Sequence, residues 1–196
     1  MSIISEGETL DKEDHVLIDE ILSGTLSSYD TLMERYQNLI FKIAYSFGKN
    51  KENAMDISQN IFLKAYQKLS TLKGQNSFKA WLSRIAYHEG INWTRKHKSV
   101  VQFESIETNQ EPESESPSRE DELLANEYRH ELMQSLFALN TKYRLAVVLR
   151  YYQNMSIREI AAILKCSEGV VKNMLFRSVQ RLKLILQQNQ IEVYNG

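Results

Sequence analysis

The sequence predicts an all-α protein made of two small helical domains joined by a flexible acidic linker, the C-terminal one a helix-turn-helix. Three observations predict it. Apolar residues recur with a 3.6-residue period over long runs, and no stretch alternates in the manner of a strand. Glycine and proline number only 7 and 2 among 196 residues, so little interrupts those runs. Charge is partitioned along the chain. The formal net charge is −1, yet residues 1–21 carry −6, 22–98 carry +7, 99–127 carry −8 and 128–196 carry +6. Two basic bodies therefore alternate with acidic segments, a pattern that the whole-chain average conceals.

Residues 1–21 form an acidic N-terminal extension, and the residues around Val16, Leu17, Ile21 and Leu22 fit either a short amphipathic helix or a frayed tail. The first body spans 22–98 and supplies three helices. Tyr29, Leu32, Met33, Tyr36, Leu39, Ile40, Ile43, Ala44 and Phe47 make one continuous apolar stripe, and Gly48 is placed to cap its C-terminus. A second helix, from about Asn53 to Leu69, buries Ala54, Ile57, Ile61, Ala65 and Leu69. Asp56, Gln59, Leu63 and Gln67 then fall together on the far side. A leucine among these polar groups fits a solvated face, where single exposed leucines are ordinary, and fits a protein-docking face equally.

The third helix, roughly Ser77 to Lys96, is expected to pack through Phe78, Leu82, Ile85 and Trp93. Along its flank Trp81, Arg84, His88 and Arg95 follow at i, i+3, i+7 and i+14, with Lys96 and Lys98 just beyond. Interleaved rings and cations can hold phosphates while stacking on unpaired bases. The same residues also suit a core tryptophan with solvated charges beside it. The segment 71–77 that leads into this helix is polar and amide-rich, as befits a loop that contacts a base.

From Ser99 to Asp121 the chain holds both prolines, many Ser and Glu, and little apolar content. Such a segment cannot bury enough surface to offset its ordering entropy, so 99–127 reads as a flexible linker. The second body, 128–188, precedes a tail at 189–196. Within it Ser156 and Glu159 form a capping box that opens a short helix packed through Ile157, Ile160, Ala161 and Leu164, with Arg158 on the wet side. Lys165-Cys166 makes the turn, and Ser167 caps a second helix whose buried stripe is Val171, Leu175, Ser178 and Leu182. Glu168, Lys172, Asn173, Phe176 and Arg177 then face outward on a helix of the width that enters the major groove.

Other chemistries find little support. No apolar run reaches the roughly 18 residues of a membrane span and no leader pattern opens the chain, so a cytoplasmic protein is expected. Cys166 is the single cysteine, which rules out an internal disulfide and suits a small packing residue. His15, His88, His97 and His130 share no metal-ligand spacing with it, and no nucleophile–base pair or phosphate loop is present. No metal, cofactor, small-molecule substrate or catalytic residue is expected.

Read together, these motifs resemble the extracytoplasmic-function (ECF) sigma factors of bacterial RNA polymerase. AMDISQNIFLKAY at 54–66 is similar to the family's Ala-Glu-Asp-x-x-Gln-x-x-Phe motif. SFKAWLSRIAYHEGINWTRKHK at 77–98 is similar to its Trp-Leu-x-x-Ile-Ala segment, and 139–182 resembles its terminal domain nearly throughout. The resemblance implies that Asp56, Gln59, Asn60, Phe62 and Leu63 dock on core polymerase. It implies that Lys73, Gln75, Asn76, Ser77, Trp81, Arg84, His88, Asn92, Arg95 and Lys96 bind and open the minus-ten promoter element. Arg158, Ser167, Glu168, Lys172, Asn173, Phe176 and Arg177 would read the minus-thirty-five element. It further implies an anti-sigma partner, commonly membrane-bound, and a linker that threads through polymerase toward the RNA exit path.

The chain departs from the family pattern in places. Met55 stands where an acidic residue is usual, His88 and Asn92 replace Asn and Asp, Lys165 takes a turn position that often holds Gly, and Val170 replaces a common Thr. The residues alone leave open a free-standing DNA-binding regulator whose first bundle senses a signal or dimerises. They also leave open a protein-interaction adaptor with a degenerate helix-turn-helix.

Overall fold

A computed structural model of the chain describes residues 12–72, 77–97 and 132–195, with side chains described as far as 187. Residues 1–11, the loop residues Lys73, Gln75 and Asn76, and the predicted linker 99–127 lie outside the described residues. All regular structure described is helical. The helices fall into two compact units, an N-terminal one and a C-terminal one.

The N-terminal unit contains α1 (Asp14–Leu22), α2 (Ser27–Gly48), α3 (Lys51–Lys68, prolonged by a tight turn at Leu69–Thr71) and α4 (Phe78–Lys96). The N-terminal extension therefore ends in a helix, which continues past the sequence limit at residue 21. Leu17 and Ile21 bury this helix against α2. Its start is tied down by polar contacts: Arg35 donates to Asp14 Oδ1 and to the Lys12 carbonyl, each at 2.6 Å, and the Tyr36 hydroxyl donates to Asp14 Oδ2. Near its end Lys12 Nζ lies 2.6 Å from Glu20 Oε1, and the Ser28 hydroxyl donates to Oε2 at 2.5 Å. The lysine first and the hydroxyl second hold the Glu20 carboxyl below its ordinary pKa.

On α2 the predicted stripe is buried at Tyr29, Leu32, Leu39, Ile40, Ile43, Ala44 and Phe47, while Met33 and Tyr36 are half-buried at its margins. Gly48 is not a left-handed cap. It is the buried last residue of the helix, and the left-handed residue is Lys49, with φ 66°. Gly48 is small because α3 begins beside it: a Cβ there would stand 2.8 Å from Asn53 Cβ. Asn53 Nδ2 also donates to the Gly48 carbonyl at 3.2 Å.

α4 packs on α2 through Phe78, Leu82, Ser83, Ala86, Tyr87 and Gly90. Ile85 and Trp93, expected to face inward, are only half-buried. Small residues occupy the helix contact because the backbones approach closely there, and Gly90 lies directly under the Phe47 ring.

The C-terminal unit opens with a helical stretch over 132–137, followed by α5 (Thr141–Val147), a wider π-type turn at Val148–Tyr152, α6 (Ile157–Leu164) and α7 (Glu168–Asn195). Asn140 caps α5 by accepting from the Lys142 amide at 3.1 Å. Arg144 is 3% exposed and donates through Nη1 to the carbonyls of Leu136, Phe137 and Leu139 at 3.3, 3.1 and 3.3 Å. Its guanidinium also lies 4.8 Å from the Phe137 ring centre. It thereby ties together carbonyls at and just beyond the end of the 132–137 helix, sharing that of Leu136 with the Leu139 amide. Burial pushes its pKa down to about 10, so it remains a cation at neutral pH.

Candidate nucleic-acid and protein-binding surfaces

Three surfaces carry the predicted site residues, two on the N-terminal unit and one on the C-terminal unit. On α3, burial of Ala54, Ile57, Ile61 and Ala65 turns Asp56, Gln59, Asn60 and Leu63 to solvent and leaves Phe62 half-buried. Asn60 Nδ2 donates to the Asp56 carbonyl at 2.9 Å, which holds the amide against its own helix. Leu63 is 57% exposed. It is not isolated, because Met55, Tyr66 and Leu26 are exposed beside it along an open groove between α2 and α3. Met33 and Phe41 of α2 complete the groove wall.

Sequence reasoning found the α3 side of this groove and missed the α2 side, because it assigned Met33 to the core stripe. Tyr29 fastens the two helices. Its hydroxyl donates to the Phe62 carbonyl at 2.5 Å, and its ring meets Tyr66 edge-on at 5.0 Å. Burial pushes the Tyr29 phenol up to about 12. A contiguous apolar strip of this kind, rimmed by Asp30, Gln37 and Gln59, has the make-up of a protein-docking surface.

On α4 the residues opposite the packing face are Trp81, Arg84, His88, Asn92 and Arg95, which fall within an arc of about 80° at 100° per residue. His88, Asn92, Arg95 and Lys96 are exposed, while Trp81 and Arg84 are half-buried. Trp81 is thus neither core nor free: its ring lies 5.6 Å from that of buried Phe78 and the remainder faces outward. Arg84 Nε is buried without a hydrogen-bond partner. Asn92 Nδ2 reaches Glu89 Oε1 at 3.5 Å, and Lys64 of α3 pairs with Glu89 Oε2 at 2.5 Å. Lys64 thus sets a positive charge against the one carboxylate that interrupts this side of α4. Ser77 is exposed at the helix start and makes no side-chain cap, so the helix begins one residue later than expected.

On the C-terminal unit the capping box is formed. Ser156 Oγ accepts from the Glu159 amide at 3.2 Å while Glu159 Oε2 accepts from the Ser156 amide at 2.8 Å. α6 packs through Ile160, Ala161, Ile163 and Leu164; Ile157, expected inside, is half-buried, and Ile163 takes the inward place. Lys165 then adopts the left-handed conformation, with φ 52° and ψ 54°, and the Cys166 amide closes the turn onto the Ala161 carbonyl at 3.1 Å.

Ser167 caps α7 by accepting from the Val170 amide at 3.4 Å. Val171, Leu175 and Ser178 are buried and Leu182 is half-buried, so Glu168, Lys172, Asn173, Phe176 and Arg177 all lie exposed, as does Arg158 on α6. Phe176 is 67% exposed. Val170 is exposed on the same side. Donors, an amide and an apolar ring along one side of a projecting helix match the edges that bases present in the major groove.

Comparison with known proteins matches two stretches of the chain to described families. Residues 32–100 match the family described as Sigma-70 region 2, and residues 129–182 match Sigma-70, region 4. The chain is 28% identical to the RNA polymerase sigma-H factor of Pseudomonas aeruginosa over 185 residues, covering 90% of this chain and 95% of that one. It is also 28% identical to the ECF RNA polymerase sigma-E factor of Escherichia coli over 173 residues, covering 84% and 90%. Among solved structures, CnrH in complex with the cytosolic domain of CnrY aligns with a TM-score of 0.67 at 23% identity, covering 89% of this chain and 97% of that one. The sigma factor RpoE in complex with the anti-sigma factor NepR from Bartonella quintana aligns at 0.63 and 20% identity, over 81% and 96%.

Proposed function

The chain belongs to the ECF sigma factors, the promoter-recognition subunits of bacterial RNA polymerase, and we propose that its three surfaces divide that task among them. Matches to region 2 and region 4 in this order set aside a free-standing regulator. The α2–α3 groove, with Asp56, Gln59, Asn60, Phe62 and Leu63 on its α3 side, holds core polymerase. The outer face of α4, from Ser77 to Lys96, takes the minus-ten element. Trp81 offers a ring for an unstacked base, worth about 1–3 kcal/mol per base, while Arg84, His88, Arg95 and Lys96 balance the backbone charge. Lys73, Gln75 and Asn76 in the preceding loop belong to the same task. The exposed residues of α7, with Arg158 and Ser167, read the minus-thirty-five element. Polymerase supplies the bond-forming chemistry, and the factor works where polymerase is, in the cytoplasm. No described helix is long and apolar enough to cross a membrane.

An anti-sigma factor is the further partner we propose. One of the aligned structures is a sigma factor held by the anti-sigma factor NepR, and in the other CnrH is held by the cytosolic domain of CnrY. The apolar groove and the exposed Phe176 are the surfaces that would be covered between activations.

The observation that carries this reading is the separation of α7 into a buried side, Val171, Leu175 and Ser178, and an exposed side bearing Lys172, Asn173, Phe176 and Arg177. Start-site-resolved transcription from genomic DNA, by purified bacterial core polymerase with and without this protein, tests it. New starts that share two spaced upstream elements are expected. Their absence, with tight duplex binding by the protein alone, would restore the free-standing regulator.

A further inference from the structure

Asp14 of α1 and Trp81 of α4 are joined through two intervening rings. The Tyr36 hydroxyl donates to Asp14 Oδ2, and the Tyr36 ring meets Phe78 edge-on at 5.2 Å with 62° between planes. Phe78, 3% exposed, lies in turn 5.6 Å from Trp81 at 33°. Arg35 fixes the other carboxylate oxygen of Asp14 at 2.6 Å, so the carboxylate has one orientation, and Leu17 and Ile21 seat its helix on α2. Phe78 is the first residue of α4. Whatever sets its ring sets both the start of that helix and the inner side of the Trp81 indole.

We propose that α1 is a positioning element for strand opening: Asp14, acting through Tyr36 and Phe78, holds the Trp81 ring at the angle at which it receives an unstacked base. The proposal rests on the assignment of the α4 face to the minus-ten element. Asp14 and Tyr36 touch no DNA in this scheme; they are positioning residues. A ring that stacks on a base gains only from a fixed plane, and an indole held on one side by Phe78 has its free side defined by that contact.

The full-length protein is compared with Asp14→Ala and Tyr36→Phe, which break the same hydrogen bond from its two ends, the second while keeping the ring on Phe78. In a Trp93→Phe background Trp81 is the sole tryptophan of the chain, so acrylamide quenching reports its exposure directly. Both variants are expected to raise quenching. With core polymerase, at a promoter located by start-site mapping, they are expected to slow opening of duplex DNA about tenfold, since small displacements of an aligned group are costly. Core affinity stays unchanged and the rate returns on a template already unpaired at the minus-ten element. The double variant costs no more than Asp14→Ala alone, because the bond to Tyr36 is already lost there, whereas Asp14→Ala also gives up the Arg35 pair.

Unchanged quenching overturns the proposal, and so does an equal loss on duplex and unpaired templates, the signature of general destabilisation. Trp81→Ala separates the two levels of inference. If it abolishes duplex opening while Asp14→Ala does not slow it, the α4 assignment stands and the positioning role falls. If Trp81→Ala opens duplex normally, the assignment falls and takes the positioning role with it.

Discussion

The ring of Phe47 occupies the place where a side chain on Gly90 would begin: a Cβ at Gly90 would lie 2.2 Å from Phe47 Cδ2 and 2.4 Å from Cε2. Phe47 is 2% exposed and cannot swing aside into solvent. Gly90→Ala is therefore expected to destabilise the N-terminal unit by about 1–3 kcal/mol, the usual cost of overpacking, despite alanine's better helix propensity. Urea unfolding of the full-length protein, followed by circular dichroism, measures it; a neutral or stabilising result would refute the contact.

This pair also shows which parts of the fold were legible in the sequence. Features set by neighbours a few residues apart were readable: the Ser156–Glu159 capping box, the Ser167 cap, and the stripe Val171, Leu175 and Ser178 all stand as expected. Features set by distant segments were not. Nothing near Gly90 announces Phe47: periodicity places Phe78 and Leu82 inward as found but adds the large Ile85 and Trp93, where close backbone approach selects Ser83, Ala86 and Gly90. Gly48 reads as a C-cap by residue type alone, whereas the structure makes it the close approach at which α3 begins, with Asn53 beside it. The groove was half legible, because its α2 wall lies at the edge of a stripe that reads as core throughout.

Leu63→Glu, or Asp56→Ala combined with Gln59→Ala, is expected to weaken core polymerase binding by about tenfold or more, the scale of a residue central to an interface. Both leave unfolding free energy within about 0.5 kcal/mol, since these side chains are exposed. Competition against a labelled sigma factor for core reads the affinity. Unchanged binding would remove the groove from the polymerase interface.

Lys172→Ala and Arg177→Ala are each expected to reduce affinity for the upstream element by about 1–3 kcal/mol where the side chain meets a base edge. A lysine that meets phosphate instead weakens all sequences alike and lowers the salt slope by about one. Footprinting of the holoenzyme across a salt series tells the two apart. Loss of neither affinity nor salt slope would remove these residues from the DNA contact.

Lys165→Gly is expected to stabilise the C-terminal unit by about 0.5–1 kcal/mol. A left-handed non-glycine residue costs roughly 1–2 kcal/mol, and glycine's added freedom in the unfolded chain returns about half of that. Lys165 is exposed, so no packing is lost. Thermal unfolding of the two proteins decides it, and a lower midpoint for the glycine variant would contradict the strain.

Alkali should loosen the N-terminal unit in a defined window. Burial raises the Tyr29 phenol from 10.0 to about 12, and Tyr36 is raised too, by burial and by its bond to Asp14. Below pH 10 both states keep these two protons, and the phenols add no pH dependence to stability. Between about 10 and 12 the unfolded state ionises first, so it is favoured and stability falls as pH rises. Tyr29→Phe is expected to flatten that decline while lowering stability at pH 7 through loss of the bond to Phe62. An equally steep decline in Tyr29→Phe would assign the alkaline transition elsewhere.

On α7 two vocabularies are written on one rod. Val171, Leu175 and Ser178 address the protein's own interior, while Lys172, Asn173, Phe176 and Arg177, interleaved with them, address whatever lies outside. Because the letters of one are not shared with the other, the outward message can be rewritten residue by residue at almost no expense to folding. On the proposed assignment of this face to the minus-thirty-five element, promoter preference is free to drift, and retargeting it by design is a problem of spelling and not of architecture.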